Sequence, residues 1–421
     1  MLGSLNSHEE EEDPDHHHRH RRFRHGFAPP ANHMRQLLSS CAELISQSDY
    51  AAAARVISLL SGSSSPCGDS TDRLVHQFAR ALSLKLNRVT FHNLLLCSPS
   101  PSSSSSSAST SSSREEEALQ QTSYLYLNQI TPFIRFCHLT ANQAILEAVD
   151  GHRAIHILDL DTMQGVQWPP LMQAIADRRH GDPPSIRITG VGRDLNTLLR
   201  TGDRLRLFAQ SLGLDFRFDP LPVPDPVVTT AQSLLSAVTL LPGEALAVNC
   251  VLYLHELLSG GGDDDGDAVL LAFLRGIRAM NPRVVTVAER EGSHNHPAFL
   301  RRFGEAVEHY AAIFDSLEAT LPPGSRERLS VEQVWFGREV ADIVAGEGRE
   351  RRERHERFEK WAEMMRASGF SNVPLSPFAL SQAKLLLRLH YPSEGYQLQL
   401  LTDSLFLGWQ NKPLFSVSSW N

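Results

Sequence analysis

The residues best placed to do chemistry lie in one bend. Positions 159–170 read Asp159-Leu160-Asp161-Thr162-Met163-Gln164-Gly165-Val166-Gln167-Trp168-Pro169-Pro170, directly after an apolar run that starts at Ala154. In a doubly wound sheet, the junction of first strand and helix is where a dinucleotide or methyl donor sits. It needs glycines there so that backbone N–H groups can approach the ligand. Gly165 is the one glycine in the bend, and Met163, Gln164 and Trp168 are bulky. The double proline suits the first turn of a delayed helix. Asp194, three residues after Val191, is the nearest acidic group that could reach a ribose. The reading is an occluded cofactor turn, in which Asp159 and Asp161 cap or hydrogen-bond the bend and Trp168 packs over it. No cofactor is expected, and retained donor or dinucleotide binding is the alternative.

Other constellations are weaker. His255-Glu256 and His294-Asn295-His296 stand as isolated pairs, and no GxSxG, HExxH, P-loop or CxxC pattern occurs. His156, inside an apolar run, reads as a core histidine. No catalytic or metal-binding residue is assigned, and the expectation is a protein that is not an enzyme. Leu195-Asn196-Thr197-Leu198-Leu199 and Leu254-His255-Glu256-Leu257-Leu258 both match LxxLL, the spacing by which a short helix sets apolar anchors into a partner's groove. Each is weighed against plain core packing, with Leu195, Leu198 and Leu199 kept as the candidate partner-binding set. Arg187, Arg193, Arg200, Arg204 and Arg206 could follow one helix toward DNA. In the N-terminal tail, Arg19, Arg21, Arg22 and Arg24 are candidate DNA or nuclear-import contacts, interleaved with histidines that lack the fixed spacing of a metal site. The alternating charges from Arg349 to Lys360 predict a solvated helix face, and Trp361, Trp409 and Trp420 predict packing rather than base stacking.

These residues need elements to hold them. Positions 1–33 are too polar and charged to order themselves. From Met34 to Val149 the apolar spacing is helical, with a serine-rich loop at 98–113, and Asp150-Gly151 supplies a stop. After Gly151, short strand-like runs beginning at Ala154, Ser185, Leu214, Glu244 and Arg283 alternate with helical segments. That alternation predicts a parallel sheet covered on both faces. Helices are expected at about His296 to Leu317, Ser330 to Val344 and Glu350 to Ser368. The runs Leu385 to His390, Leu405 to Gln410 and Leu414 to Trp420 then close the chain, the last two as an antiparallel hairpin on the sheet edge. The fold class is α/β: a methyltransferase-like Rossmann sheet at 151–421, antiparallel C-terminal strands, and an N-terminal helical cap at 34–150.

Composition limits the function classes. The chain has 421 residues, 41% hydrophobic and 21% charged, with a formal net charge of −8. A globular protein is implied, and the totals show no broad phosphate-neutralising surface. Neither a membrane span nor a secretory signal is expected. Five separated cysteines suggest a reducing compartment.

Taken together, the residues from Met34 to Asn421 resemble the plant GRAS family of transcriptional regulators. Ile155-His156-Ile157-Leu158-Asp159 resembles the family's VHIID signature, accompanied by Pro132, Asn142, Gln167 and Leu171 and flanked by leucine-rich regions. Pro220 to Pro226, Phe303 to Tyr310 and Arg338-Glu339 resemble the PFYRE region. Trp361, Gly408-Trp409 and Trp420 resemble the SAW region. The core segments resemble the lateral-suppressor (SCARECROW-like) branch, which implies axillary meristem initiation and shoot branching. The resemblance implies a nuclear regulator of gene expression whose partners are other transcription factors or GRAS chains, with homo- or heterodimers and promoter DNA among the expectations. A directly DNA-binding factor, or a small-molecule-binding or enzymatic Rossmann protein, are the alternatives.

Overall fold

The computed structural model describes residues 31–96, 110–178, 183–223, 233–258, 267–322 and 324–421. Arg19, Arg21, Arg22 and Arg24 lie outside these, as does 97–109 of the serine-rich stretch. Positions 110–113, expected in that loop, instead open the helix Thr110–Ile130.

Among the described residues nine strands form one sheet. They are β1 (Ala154–Asp159), β2 (Ser185–Gly192), β3 (Phe216–Pro222), β4 (Ala245–Val251), β5 (Val284–Arg290), β6 (Asn372–Val373), β7 (Tyr396–Leu401), β8 (Ser404–Trp409) and β9 (Lys412–Trp420). The order is β3-β2-β1-β4-β5-β9-β8-β7, with β6 beside β9. The first five are parallel and the rest run antiparallel, which is the methyltransferase-like Rossmann arrangement. β4 and β5 are buried along their whole length, as parallel strands covered on both faces must be. On one face Ile157 and Ile188 pack beneath the helices Trp168–Ala176 and Leu195–Ser211. On the other, Val248 and Val285 meet Ala268–Ala279 and Phe358–Ala367.

The register sets up the site. Asp159 stands opposite Asn249 across β1 and β4, and Asn249 stands opposite Thr286 across β4 and β5, so three polar residues share one level near the carboxyl ends of the strands. Gly190 occupies that level on β2. A Cβ there would lie 2.4 Å from the Phe218 ring, so only glycine lets β2 sit this close to β3's side chain.

The N-terminal helices Ala31–Ser46, Tyr50–Ser63 and Ser70–Leu96 do not stand alone. Asp49 caps the second by accepting from the Ala52 N–H at 3.0 Å. Met34, Leu38, Leu74 and Phe78 then join Phe303, Tyr310 and Val340 in one core, with Phe78 and Phe303 edge to face at 5.6 Å. Pro132–Ala148, started by its proline, is buried along most of its length against the sheet.

Three expectations at the C-terminal end are corrected. Leu385 to His390 is the last part of the helix Pro377–His390, which Ser376 caps, and β7 provides the strand. The closing hairpin is not at the edge: β9 lies between β5 and β8, and β7 is outermost. Its two-residue turn, Gln410-Asn411, has both residues left-handed, which twists with the strands. Finally, Arg349 to Lys360 is not one solvated helix. Residues 351–357 are extended, and Arg351, Glu353, Arg354 and His355 are buried. Arg351 donates to the His294 carbonyl oxygen at 2.7 Å and Arg354 to the Arg351 carbonyl oxygen at 3.0 Å, so the guanidiniums satisfy backbone that no helix or strand pairs.

Candidate functional site

Asp159 ends β1 and accepts from two directions: Asn249 Nδ2 at 2.9 Å and the Trp168 indole N–H at 2.8 Å. Gln167 lies beside them. Its Nε2 donates to Asn142 Oδ1 at 3.1 Å and to Asn249 Oδ1 at 3.0 Å, while its carbonyl oxygen accepts from Asn142 Nδ2 at 2.8 Å. Thr286 Oγ1 donates to Asn249 Oδ1 at 3.0 Å. One buried network therefore ties Pro132–Ala148, β1, the bend, β4 and β5 together. Burial pushes the Asp159 carboxyl up to about 6 even though these bonds favour its charge. Trp168 is fully buried and fills the bend, and Met163 takes a left-handed backbone conformation. Along β1 the side chains alternate: Ile155 and Ile157 enter one core and Leu158 the other. His156 is buried, with Nε2 2.9 Å from Thr189 Oγ1 and Nδ1 accepting from Arg187 at 3.0 Å. Burial, then Arg187, push it down to about 4, so the ring is neutral.

The occlusion stops at the bend. Beyond the carboxyl ends of the strands a cavity of about 890 Å³ lies open, roofed by Thr110–Ile130 and the π-helical turn Val331–Phe336. Asp161, Arg193, Tyr253, Glu256 and Glu339 are on its wall. The bulky groups of the expected turn therefore divide: Trp168 is buried in the bend, whereas Met163 and Gln164 lie on the cavity wall. Asp161 lies on the cavity wall, and burial followed by Glu256 pushes it up to about 7.

A second polar cluster, invisible in the sequence, adjoins this cavity. His255 Nδ1 lies 3.0 Å from Glu289 Oε2, and its Nε2 lies 3.4 Å from Glu353 Oε2. His355 Nε2 is 3.0 Å from the same Glu353 oxygen, and His355 Nδ1 is 2.9 Å from His294 Nδ1. All five residues are buried. Burial opposes a charge on His255, but Glu289 and Glu353 outweigh it and push its pKa up to about 10. His355 is held well below the usual imidazole range by burial, and His294 is pushed down to about 3 for the same reason. Sequence reading missed the cluster because 34 residues separate His255 from Glu289 and 61 separate His294 from His355. The local signals were the pairs His255-Glu256, whose glutamate is not the partner, and His294-Asn295-His296, of which His294 alone joins the cluster.

The GRAS domain family model matches residues 34–421. The chain belongs to the GRAS family. Among relatives, it is 54% identical to Scarecrow-like protein 18 of Arabidopsis thaliana over 92% of this chain and 91% of that one. It is 48% identical to Protein MONOCULM 1 of Oryza sativa subsp. japonica, over 92% and 88%. Among solved structures, SCL7 of Oryza sativa superposes with a TM-score of 0.74 at 36% identity, covering 92% of this chain and 99% of that one. In this GRAS chain the run Ile155 to Asp159, which resembles the VHIID signature, lies in the strand β1, and Gln167 and Asn142 are members of the network that closes the bend.

The surface candidates divide. On the GRAS helix Leu195–Ser211, Leu195 and Leu199 are 44% and 47% exposed, but Leu198 is 1% exposed and packs beneath Gly192. Leu198 is therefore a core residue, because the helix turns its fourth position toward the sheet, and the three-anchor reading is corrected. Leu254, Leu257 and Leu258 are all buried, so the second LxxLL is packing. Of the arginine set, Arg187 is buried and paired with Glu244 through Nε at 2.8 Å, which removes it from any DNA face. Arg193 is paired with Glu256 at 2.5 Å, and Arg200, Arg204 and Arg206 are exposed. Among the described residues no helix is long and apolar enough to cross a membrane.

Proposed function

We propose that this GRAS protein is a nuclear regulator of transcription in plant development that works through contacts with other transcription factors or GRAS chains, and that it promotes axillary meristem initiation and shoot branching. The observation that carries the mechanism is the outer face of Leu195–Ser211. Leu195, Leu199 and Leu207 lie on a four-residue spacing, interrupted by Asp203, and Leu207 is 67% exposed. Large apolar groups repeated on one solvent-facing helix are characteristic of groove-docking surfaces. The filled bend after β1 supports the same reading, since it leaves no glycine-lined cradle for a cofactor's phosphates. The similarity to MONOCULM 1 supports the developmental part.

The test is co-purification of the full chain from plant nuclei, beside Leu199→Glu and Leu207→Glu. Transcription factors or GRAS chains should be recovered with the wild type and fall about tenfold with either variant, the loss expected when a charge meets an apolar groove at a cost of roughly 1.4 kcal/mol or more. Exposed Arg200, Arg204 and Arg206 favour one second reading, direct DNA binding. In that case purified protein alone would shift specific DNA, and affinity would drop on the order of a thousandfold between about 50 and 200 mM salt. Undiminished partner recovery together with such binding would replace the first reading by the second.

A further inference from the structure

We propose that His255, Glu353 and His355 form a binding site for a divalent first-row transition metal, with zinc the expected ion. The three donor atoms lie within 4.8 Å of one another, and all three residues are buried. Two of the separations are 3.0 and 3.4 Å. Metal–ligand bonds of about 2.0–2.1 Å meeting at tetrahedral angles put neighbouring donor atoms about 3.3 Å apart, so these two separations are those of tetrahedral edges, while the two imidazole nitrogens, within 4.8 Å of each other, would draw together on the ion. Two imidazoles and one carboxylate are the donor set of a zinc site that keeps its fourth position open.

The outer partners point the same way. A metal-binding histidine almost always engages a carboxylate or another acceptor through its second ring nitrogen, which fixes the tautomer and aims the free nitrogen at the ion. His255 has Glu289 in that place, and Glu289 is itself fixed, because its Oε1 accepts from the backbone N–H groups of Leu254 at 2.8 Å and Tyr253 at 3.1 Å. His355 has His294 there, and the chain is locked locally by the His294 N–H donating to the His355 carbonyl oxygen at 2.9 Å. Both ligand imidazoles therefore present Nε2 to the same carboxylate oxygen.

Charge counting agrees. Glu289 and Glu353 are two buried carboxylates at one locus. The neighbouring Arg290 is bound to Glu339, and Arg338 reaches Glu353 Oε1 only at 3.5 Å from a half-exposed position. Binding displaces the proton that Glu289 and Glu353 hold on His255, and a dication beside two carboxylates, with both imidazoles then neutral, leaves the locus uncharged, which burial favours. The way in is the cavity, whose wall includes His255 and Glu353. Bound metal would join the 3-10 turn Leu254–Leu257 after β4 to the extended 351–357 segment. This inference does not depend on the partner-docking reading.

The experiment uses the full chain, untagged, with His8, His16, His17, His18, His20, His25 and His33 changed to Asn so that the N-terminal tail offers no competing imidazoles. The protein is loaded with Zn²⁺ or Co²⁺, freed of unbound metal by gel filtration, and compared with a chelator-treated sample. The expected result is about one metal per chain, a higher melting temperature than the chelated protein, and cobalt d–d bands of four-coordinate intensity. Glu353→Gln should lose those bands, and Glu289→Gln should weaken zinc binding about 10–100-fold. If the variants do not fold, the parent chain still decides. Folded protein that retains less than about a tenth of an equivalent of either metal, with a melting temperature indifferent to chelator, overturns the site.

Discussion

The indole N–H of Trp168 donates to Asp159 Oδ2 at 2.8 Å, and the side chains of both residues are buried. This bond joins the last residue of β1 to the first residue of the next helix, so it fixes the bend that a cofactor would otherwise enter. Trp168→Phe keeps a large ring but removes the donor, leaving a buried carboxylate oxygen unpaired. Such a group costs about 1–3 kcal/mol. Urea denaturation should show that loss with an unchanged slope, whereas a stability equal to wild type would mean the bond contributes nothing.

Asp159 also sets a pH dependence. Burial raises its folded-state pKa from 3.8 to about 6, so between these values the folded chain holds a proton that the unfolded chain has released. Stability from this group is therefore fullest below about pH 4, declines as pH rises through 6, and is flat above. The span corresponds to roughly 2–3 kcal/mol. Subtracting the pH profile of Asp159→Asn from that of the wild type isolates the contribution. A difference curve without slope between about pH 4 and 6 would refute it.

Neighbouring leucines on one helix should behave oppositely. Leu198 is buried against Gly192, and Leu199 is half exposed. Leu198→Ala should cost about 2–5 kcal/mol through lost burial and the void left behind. Leu199→Ala should stay within about 0.5 kcal/mol in stability, as a surface change does. Thermal denaturation of the two proteins side by side checks this. Equal destabilisation would mean that Leu199 is packed in solution and unavailable to a partner.

The same contrast shows where the sequence was legible. The five parallel strands could be read because each is a short β-branched or apolar run between helical spacings, and β1 through β5 fall on those runs. The closed bend was suggested by the bulk of Met163, Gln164 and Trp168 beside a single glycine, though Asn142 and Asn249, the partners of Gln167, come from other elements. The open cavity was not legible, because its roof at Thr110–Ile130 and Val331–Phe336 is brought there by tertiary packing. Residues 351–357 misled for a physical reason. Alternating Arg and Glu at helical spacing ordinarily means solvent, but here the arginines fold inward onto carbonyl oxygens and Glu353 is taken by two histidines. Local periodicity carries no information about such distant partners.

A buried ion pair fastens the N-terminal helices to the rest of the molecule. Arg73, on Ser70–Leu96, donates through Nε to Glu332 Oε2 at 2.8 Å, with the two side chains 2% and 1% exposed, and through Nη1 to Glu318 Oε2 at 2.5 Å. Burial pushes the Glu332 carboxyl up to about 7 against the pull of Arg73, so the pair is desolvated as well as close. Removing one partner strands the other charge: Arg73→Met should cost about 3–5 kcal/mol. Replacing both by apolar groups removes the stranded charge, so Arg73→Met with Glu332→Leu should recover much of that loss, even though the helices then lack their ionic link. Urea denaturation of the four proteins of the cycle gives the coupling directly. A double variant no more stable than Arg73→Met alone would show that Glu318, rather than Glu332, is the charge that Arg73 must balance.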